Sequence, residues 1–101
     1  MTFDEYQRAA RRTVNPALTG EERLLDAAAG LAEEAAEVLA AVRKHRFQGR
    51  PLDAAVLREE LGDALWCIAA TATATGMTLD EIARANVDKI ARRWPERTDA
   101  T

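Results

Sequence analysis

The chain contains two pairs of acidic residues at a spacing of three, Glu34/Glu37 and Glu60/Asp63. Three residues is just under one α-helical turn, so each pair projects from one face of its helix. Two such helices packed antiparallel would bring four carboxylates into one groove, where they repel one another unless a cation lies between them. Oxygen ligands favour a hard cation, Mg²⁺ or Mn²⁺. The spacing therefore predicts a divalent-metal site.

The neighbours of these acids distinguish them from an ordinary solvated helix face, to which Glu21, Glu22, Glu59 and Glu96 are assigned. No Lys or Arg lies four residues away from any of the four acids, although a surface stripe commonly carries one. Small residues occupy the same stripes instead, which indicates partial burial. A partly buried carboxylate without a counter-ion is costly unless a metal supplies the charge.

Four helices are predicted to position these residues, at residues 3–12, 20–45, 53–75 and 79–93. Three of them begin with a capping box, at Thr2/Glu5, Thr19/Glu22 and Thr78/Glu81, and Asp53 can cap the remaining one. Glycine and proline near residues 49–51 and Gly76 separate the helices, and Pro95 is expected to end the last one. Residues 1–95 are predicted to form one domain and residues 96–101 a frayed polar tail.

Core positions are expected in two stripes with helical spacing. In the second helix they are Leu24, Ala28, Leu31, Ala35, Val38 and Val42, and in the third they are Leu57, Leu61, Ala64, Leu65 and Ile68. A chain of 101 residues with an alanine-rich seam has a thin core, so we expect an all-α helical bundle completed by dimerisation, with a homodimer or homotetramer as the assembly.

Composition restricts the partners and the compartment. The net charge of −3 gives no general affinity for nucleic acid, so an anionic ligand needs a local cationic patch or a metal. The most apolar stretch, residues 64–79, is shorter than the roughly 20 residues that a membrane span needs. The N-terminal residues lack the features of a signal peptide, and Cys67 is the single cysteine. We expect a cytoplasmic protein.

Other chemistries fit the residues less well. A di-iron bundle needs Glu-x-x-His pairs, and His45, the single histidine, has no such partner. Zinc clusters, a Ser-His-Asp triad and a glycine-rich phosphate loop are equally unsupported. On the fourth helix, however, Asn86, Lys89 and Arg93 share one face. Cations near a helix C-terminus often only offset its dipole, but with a carboxylate cage elsewhere they could bind phosphate oxygens. Lys44 and His45 could join them, with Arg46 and Arg50 as weaker candidates.

Taken in order, these motifs resemble the MazG-like all-α nucleotide pyrophosphohydrolases. Their signature is Glu-x-x-Glu followed after a gap by Glu-x-x-Asp, as in Glu34/Glu37 and Glu60/Asp63 here. The similarity extends to residues 3–7 and 30–32, to Lys44-His45 with Gly49, to Leu65-Trp66, and to Asn86, Lys89 and Arg93-Trp94-Pro95.

The resemblance implies helical dimers or tetramers that hydrolyse nucleoside triphosphates, with Mg²⁺, to a monophosphate and pyrophosphate. Removal of non-standard nucleotides is a role compatible with that activity. It also implies roles for individual residues. The metal ligands would be Glu34, Glu37, Glu60 and Asp63, the phosphate contacts Asn86, Lys89 and Arg93, with Lys44 as a further one, and Trp66 would lie near the nucleotide or in the core.

The chain departs from many relatives at two positions. Glu33 is an additional acid beside the first pair, and Cys67 stands where relatives often carry an aromatic residue, so base specificity is expected to differ. Attack at the α-phosphorus would use Glu37 or Glu34 as the proton acceptor. Two alternatives remain open: a phosphoribosyl-ATP pyrophosphohydrolase on the same fold, and a non-catalytic metal-binding helical dimer. Composition alone would also allow a purely structural bundle.

Overall fold

The first helix, α1, spans Phe3–Arg11 and is followed by the long helix α2, Gly20–Gln48. The computed structural model describes residues 1–98. After α2 come α3 at Ala54–Ala74, α4 at Leu79–Arg93 and a single turn, α5, at Pro95–Thr98. Residues 1–98 contain helices and no strand, which confirms the all-α prediction.

The helix ends follow local capping chemistry. All three predicted capping boxes form, and the Asp53 carboxylate accepts from the backbone N–H groups of Ala55 and Val56. Gly49 and Gly76 adopt φ values of 65° and 74° after α2 and α3, a conformation that glycine reaches without strain. Helix α2 extends through Gln48 rather than ending near residue 45, because the first residue unable to continue it is Gly49.

The end of the chain differs from the predicted tail. Pro95 ends α4 and begins a further helical turn, since proline is well tolerated in the first turn of a helix. Of the tail predicted at residues 96–101, residues 99–101 lie outside the described part of the chain. The division of the chain at residue 95 stays a prediction.

Helices α2 and α3 form the main packing unit of the molecule. They run antiparallel, because Gly30 meets Cys67 at one level while Lys44 and Val56 line one groove at another. The contact uses small side chains: Ala27, Cys67 and Ala70 are buried. A Cβ atom on Gly30 would lie 2.9 Å from Cys67 Sγ, so the facing helix leaves no room for a larger side chain at this position.

Helix α1 packs against α3 and α4 and fixes the turn between them. Gln7 is buried there, and its amide donates to Thr73 Oγ1 at 3.1 Å and to the Met77 carbonyl at 3.0 Å. Gln7 Oε1 accepts from the Leu79 N–H at 2.9 Å, which supplies a partner for the first turn of α4. The small core nearby contains Ala10, Ala69, Ala72 and Leu79.

The stripes expected in the core are partly buried: Leu31, Val38, Leu57, Ala64 and Ile68 are half-buried, and the other members are exposed. Leu61 is 52% exposed, and Leu24, Val42 and Leu65 are also exposed, because the small residues between the stripes make the α2–α3 contact instead. Helix α4 leaves Val87 62% exposed. Within residues 1–98, no helix has the length and apolar character needed to cross a membrane.

Candidate metal centre

Three of the four predicted ligands converge where α2 crosses α3. Glu34, Glu60 and Asp63 each place one carboxylate oxygen within 4.8 Å of those of the other two. Glu34 and Glu60 are half-buried, and Asp63 is exposed. The close helix approach at Gly30 and Cys67, about one turn away on each helix, allows side chains from facing helices to come this near.

The cluster has an unbalanced negative charge. Partial burial raises the pKa of Glu34. A hydrogen bond from protonated Glu34 to Glu60 raises this pKa further, as do the negative charges of Asp63, Glu60 and Glu37. No Lys or Arg among residues 1–98 forms an ion pair with these acids. The protein therefore brings like charges together without a cation of its own to offset them.

A divalent cation fits this donor set. The three oxygens lie within 4.8 Å of one another, slightly more than the about 4 Å between two ligands on opposite sides of Mg²⁺, so small movements of the side chains would let them share one ion. Carboxylates are the donors that hard cations prefer, and a cation would relieve the repulsion that raises the pKa of Glu34. Glu34, Glu60 and Asp63 are thus the residues that could hold Mg²⁺ or Mn²⁺.

Glu37 is not part of the three-oxygen cluster. It is exposed and lines a groove of about 620 Å³ together with Glu60, Lys44, His45 and Arg50. This groove runs between the C-terminal half of α2 and the start of α3. Glu37 and Glu60 lie at the end nearest the cluster, and Lys44 and Arg50 lie at the other with Asp53, whose carboxylate accepts from the first N–H groups of α3. The arrangement suits an anion held partly by metal.

The loop after α2 is held against this groove by His45. Its Nδ1 lies 2.6 Å from the Arg50 carbonyl oxygen, and since a carbonyl only accepts, Nδ1 carries the proton in this bond. The contact keeps Arg50 beside Lys44. Arg46, the other weaker candidate, instead lies over the Phe47 ring, 5.5 Å from its centroid.

The cations of the last helix lie apart from the cluster. Asn86, Lys89 and Arg93 are exposed on α4, which packs chiefly against α1 and α5 rather than against the α2–α3 pair. Asn86 and Lys89 line a shallow depression with Met77 and Ile82. None of the three is among the groups that shift the pKa of Glu34.

Trp66 lies both against the core and beside a cavity. Its indole Nε1–H donates to Thr13 Oγ1 at 2.8 Å, and the ring packs against the small core. The cavity it lines, about 470 Å³, also carries Arg11, Arg12 and Arg23. Sequence reasoning missed this cavity, because the three arginines come from two helices and share no spacing pattern.

The two residues that depart from the family pattern lie in different surroundings. Cys67 is buried, and burial raises the pKa of its thiol, followed by the charges of Glu34, Asp63, Asp26 and Glu33. Glu33 itself is exposed on α2 and outside the cluster.

No curated protein and no solved structure gives a significant match to this chain. The family model of the MazG nucleotide pyrophosphohydrolase domain does match, over residues 23–98, which include α3, α4 and nearly all of α2. All three clustered carboxylates lie within that range. Because the match covers most of the sequence, the chain belongs to the MazG nucleotide pyrophosphohydrolase family.

Proposed function

We propose that this protein is a Mg²⁺-dependent nucleoside triphosphate pyrophosphohydrolase that cleaves the bond between the α- and β-phosphates. The observation that carries the proposal is the cluster of Glu34, Glu60 and Asp63, which lacks a protein cation and opens toward a groove with cationic side chains. Membership of the MazG family supports the same reaction class.

Each acid has a separate role in this proposal. Glu34, Glu60 and Asp63 hold Mg²⁺, with Mn²⁺ as a substitute. When bound, the divalent cation neutralises phosphate oxygens and lowers the pKa of water. Glu37 stays uncommitted to the cluster, so it is the acid that accepts the proton of the attacking water.

The reaction is a hydrolysis without a covalent enzyme intermediate. The water oxygen bonds to the α-phosphorus, its proton passes to Glu37, and the bond from the α-phosphorus to the bridging oxygen breaks. Pyrophosphate leaves with that oxygen. Lys44 and Arg50, which line the groove on the side away from the cluster, offset the charge that grows on the leaving group.

The active unit in this proposal is a homodimer whose sites are shared. Helix α4 meets α3 through Leu79 at its start, whereas Asn86, Lys89 and Arg93 lie farther along it and are exposed. Exposed leucine stripes on α2 and α3 offer an apolar surface for a second copy. We place these three residues of one protomer beside the carboxylates of the other, where they bind triphosphate oxygens. The proposed compartment is the cytoplasm.

The deciding experiment is a hydrolysis screen of canonical, deoxy and modified triphosphates, including phosphoribosyl-ATP, with and without Mg²⁺. Pyrophosphate should appear with a monophosphate, and only when Mg²⁺ or Mn²⁺ is present. Turnover confined to phosphoribosyl-ATP would favour the alternative substrate. Release of orthophosphate would place the attack on another phosphorus, and absence of turnover on every compound would favour the non-catalytic dimer.

A further inference from the structure

The cavity beside Trp66 lies at the end of the α2–α3 pair that is farther from Lys44. The connection between α1 and α2 covers it, and its volume is about 470 Å³. Three guanidinium groups line it, those of Arg11, Arg12 and Arg23, together with apolar side chains such as Leu18. This is a concave, partly apolar space with a few strong hydrogen-bond donors, the usual composition of a small-molecule site.

Arg23 has a donor that the protein leaves unused. Its Nε is buried and has no hydrogen-bond partner within residues 1–98. Its terminal nitrogen reaches the Pro16 carbonyl oxygen only at 3.4 Å, which is long for such a bond. A buried donor without a partner destabilises the folded chain, so a bound acceptor would stabilise this arrangement.

Trp66 offers a fixed aromatic surface in the same cavity. The bond from its Nε1–H to Thr13 Oγ1 holds the orientation of the indole ring. Stacking of a planar base on such a ring is favourable, and it requires no particular pattern of donors or acceptors on the base.

The cavity and the carboxylate cluster are neighbours along α3. Trp66 is one helical turn from Asp63, and Cys67 lies between the two regions. On α2, Asp26, which lines the cavity, lies about two helical turns from Glu34 of the cluster. The carboxylate cluster therefore lies between the arginine-lined cavity and the cationic groove.

We infer that the arginine-lined cavity holds the base of the substrate, stacked on Trp66, while the triphosphate extends over the carboxylate cluster toward Lys44 and Arg50. This inference rests on the proposed function. It adds the direction in which the substrate lies along the helix pair and a preference for one base. Guanidinium groups donate and never accept, so Arg12 and Arg23 favour a base edge that carries acceptors. Guanine presents O6 and N7 together, whereas adenine places an amino donor beside N7. Asp26 can accept from the amino group of guanine. Guanine is therefore the base that binds both to the arginine guanidinium groups and to the Asp26 carboxylate.

The test begins with nucleosides, which lack phosphates and need no metal. In a Trp94→Phe background, so that Trp66 is the single tryptophan, guanosine should quench the fluorescence of the metal-free protein. Adenosine should bind at least about tenfold more weakly than guanosine, because a bidentate arginine contact distinguishes guanine from adenine by about 1–3 kcal/mol.

Steady-state kinetics then separate binding from chemistry. Arg23→Met should raise the KM for GTP about tenfold, change kcat by less than about twofold, and bring the KM values for GTP and ATP close together. Arg43→Met, on the same helix but lining neither cavity, is the matched control and should leave both constants unchanged. If Arg23→Met fails to fold, Arg12→Met replaces it with the same expected pattern.

The outcomes distinguish this inference from the proposed function. Turnover of GTP with no quenching by guanosine and an unchanged KM in Arg23→Met would overturn the base site alone. Quenching of Trp66 by pyrophosphate but not by guanosine would overturn it too, since the phosphates would then occupy the cavity. Quenching by guanosine without any turnover would support the base site and contradict the proposed hydrolysis.

Discussion

Glu37 and Glu60 are near each other beside one groove, yet only Glu60 belongs to the three-carboxylate cluster. Two substitutions should therefore have different effects. Glu60→Ala should abolish both the release of pyrophosphate and the thermal stabilisation by Mg²⁺, because it removes a ligand. Glu37→Ala should lower kcat about 100-fold or more while the stabilisation by Mg²⁺ persists, as expected for loss of a general base.

Thermal melts with and without Mg²⁺, together with a pyrophosphate assay, check this pair of predictions. Glu59→Ala is the matched control, since Glu59 is an exposed neighbour on α3 and should behave as wild type. Equal loss of Mg²⁺ stabilisation in Glu37→Ala and Glu60→Ala would show instead that all four acids hold the ion.

The raised pKa of Glu34 makes the metal-free protein sensitive to pH. Partial burial and the adjacent carboxylates favour the protonated form, so the folded chain binds this proton more tightly than the unfolded chain does. The free energy of unfolding should therefore fall as pH rises from 4.5, the ordinary value, to the raised pKa of Glu34. Below pH 4.5 the side chain of Glu34 is protonated in the folded and the unfolded chain, so the free energy of unfolding is not lowered. Above the raised pKa it is ionised in both, and the free energy of unfolding is lowered by the full amount.

Glu34→Gln should remove this dependence and make the metal-free protein more stable than wild type at neutral pH. Urea unfolding across pH, with a chelator present, measures the effect. In saturating Mg²⁺ the variant should be less stable than wild type, because it lacks one ligand of the ion that stabilises the folded chain. A variant less stable than wild type in both conditions would contradict the idea that the carboxylates repel one another.

At the scale of the elements, the close contact between α2 and α3 depends on Gly30. Gly30→Ala would place a methyl group 2.9 Å from Cys67 Sγ, so the side chain or the helices must shift. We expect a loss of about 1–3 kcal/mol in urea unfolding and weaker binding of Mg²⁺, as overpacking displaces Glu34.

Two further variants test the cause of that loss. Gly62→Ala, where an added Cβ meets nothing within 4 Å, should instead stabilise α3 by about 0.5–1 kcal/mol. Adding Cys67→Ala to Gly30→Ala should restore most of the lost stability. If it does not, the clash with the thiol is not the reason for the loss.

The position of α4 depends on one buried side chain. Gln7→Leu would leave the Leu79 N–H and the Met77 carbonyl without their partner, which costs about 1–3 kcal/mol. Urea unfolding followed by circular dichroism should detect the loss. Gln48→Leu, at the exposed end of α2, is the control and should change stability little.

Sequence patterns predicted the helix ends better than the helix faces. Caps such as Thr19 with Glu22, and Asp53, act within a few residues, so their chemistry is visible in the sequence. The acids were identified for the same reason, by their spacing and by the absence of nearby lysine and arginine. Periodicity marks an apolar stripe but does not say what covers it, so Leu61 was assigned to a core that Ala27 and Cys67 form instead. That Arg23 and Trp66 line one cavity depends on tertiary packing, which spacing does not encode.

At the scale of the whole molecule, the single chain is too open for its length. Its radius of gyration is 16.3 Å, against about 13 Å for a compact chain of this size. Leu25 is 73% exposed and no large side chain is fully buried within residues 1–98. A second copy that covers these surfaces would account for both observations.

Sharing of the active site between copies predicts complementation. Glu60→Gln and Lys89→Ala should each be inactive alone. Their mixture should recover about a quarter of wild-type activity, because about half of randomly assembled dimers are hybrids and one of the two sites in each hybrid is intact. A mixture of Glu60→Gln with Glu34→Gln is the control and should recover none, since both sites then carry a damaged cluster. If the first mixture stays inactive after exchange of subunits, each site is built from one chain.

The lack of room for a side chain at Gly30, where a Cβ atom would lie 2.9 Å from Cys67 Sγ, has a consequence for ion selectivity. The separation of α2 from α3 sets how widely Glu34 and Glu60 stand apart, and oxygens bind Mg²⁺ at about 2.0–2.1 Å but Ca²⁺ at about 2.3–2.6 Å. Residues larger than Gly30 and Cys67 would push the helices apart, which should favour the larger ion over the smaller one. Related chains with bulkier residues at these two positions would be expected to accept the larger ion.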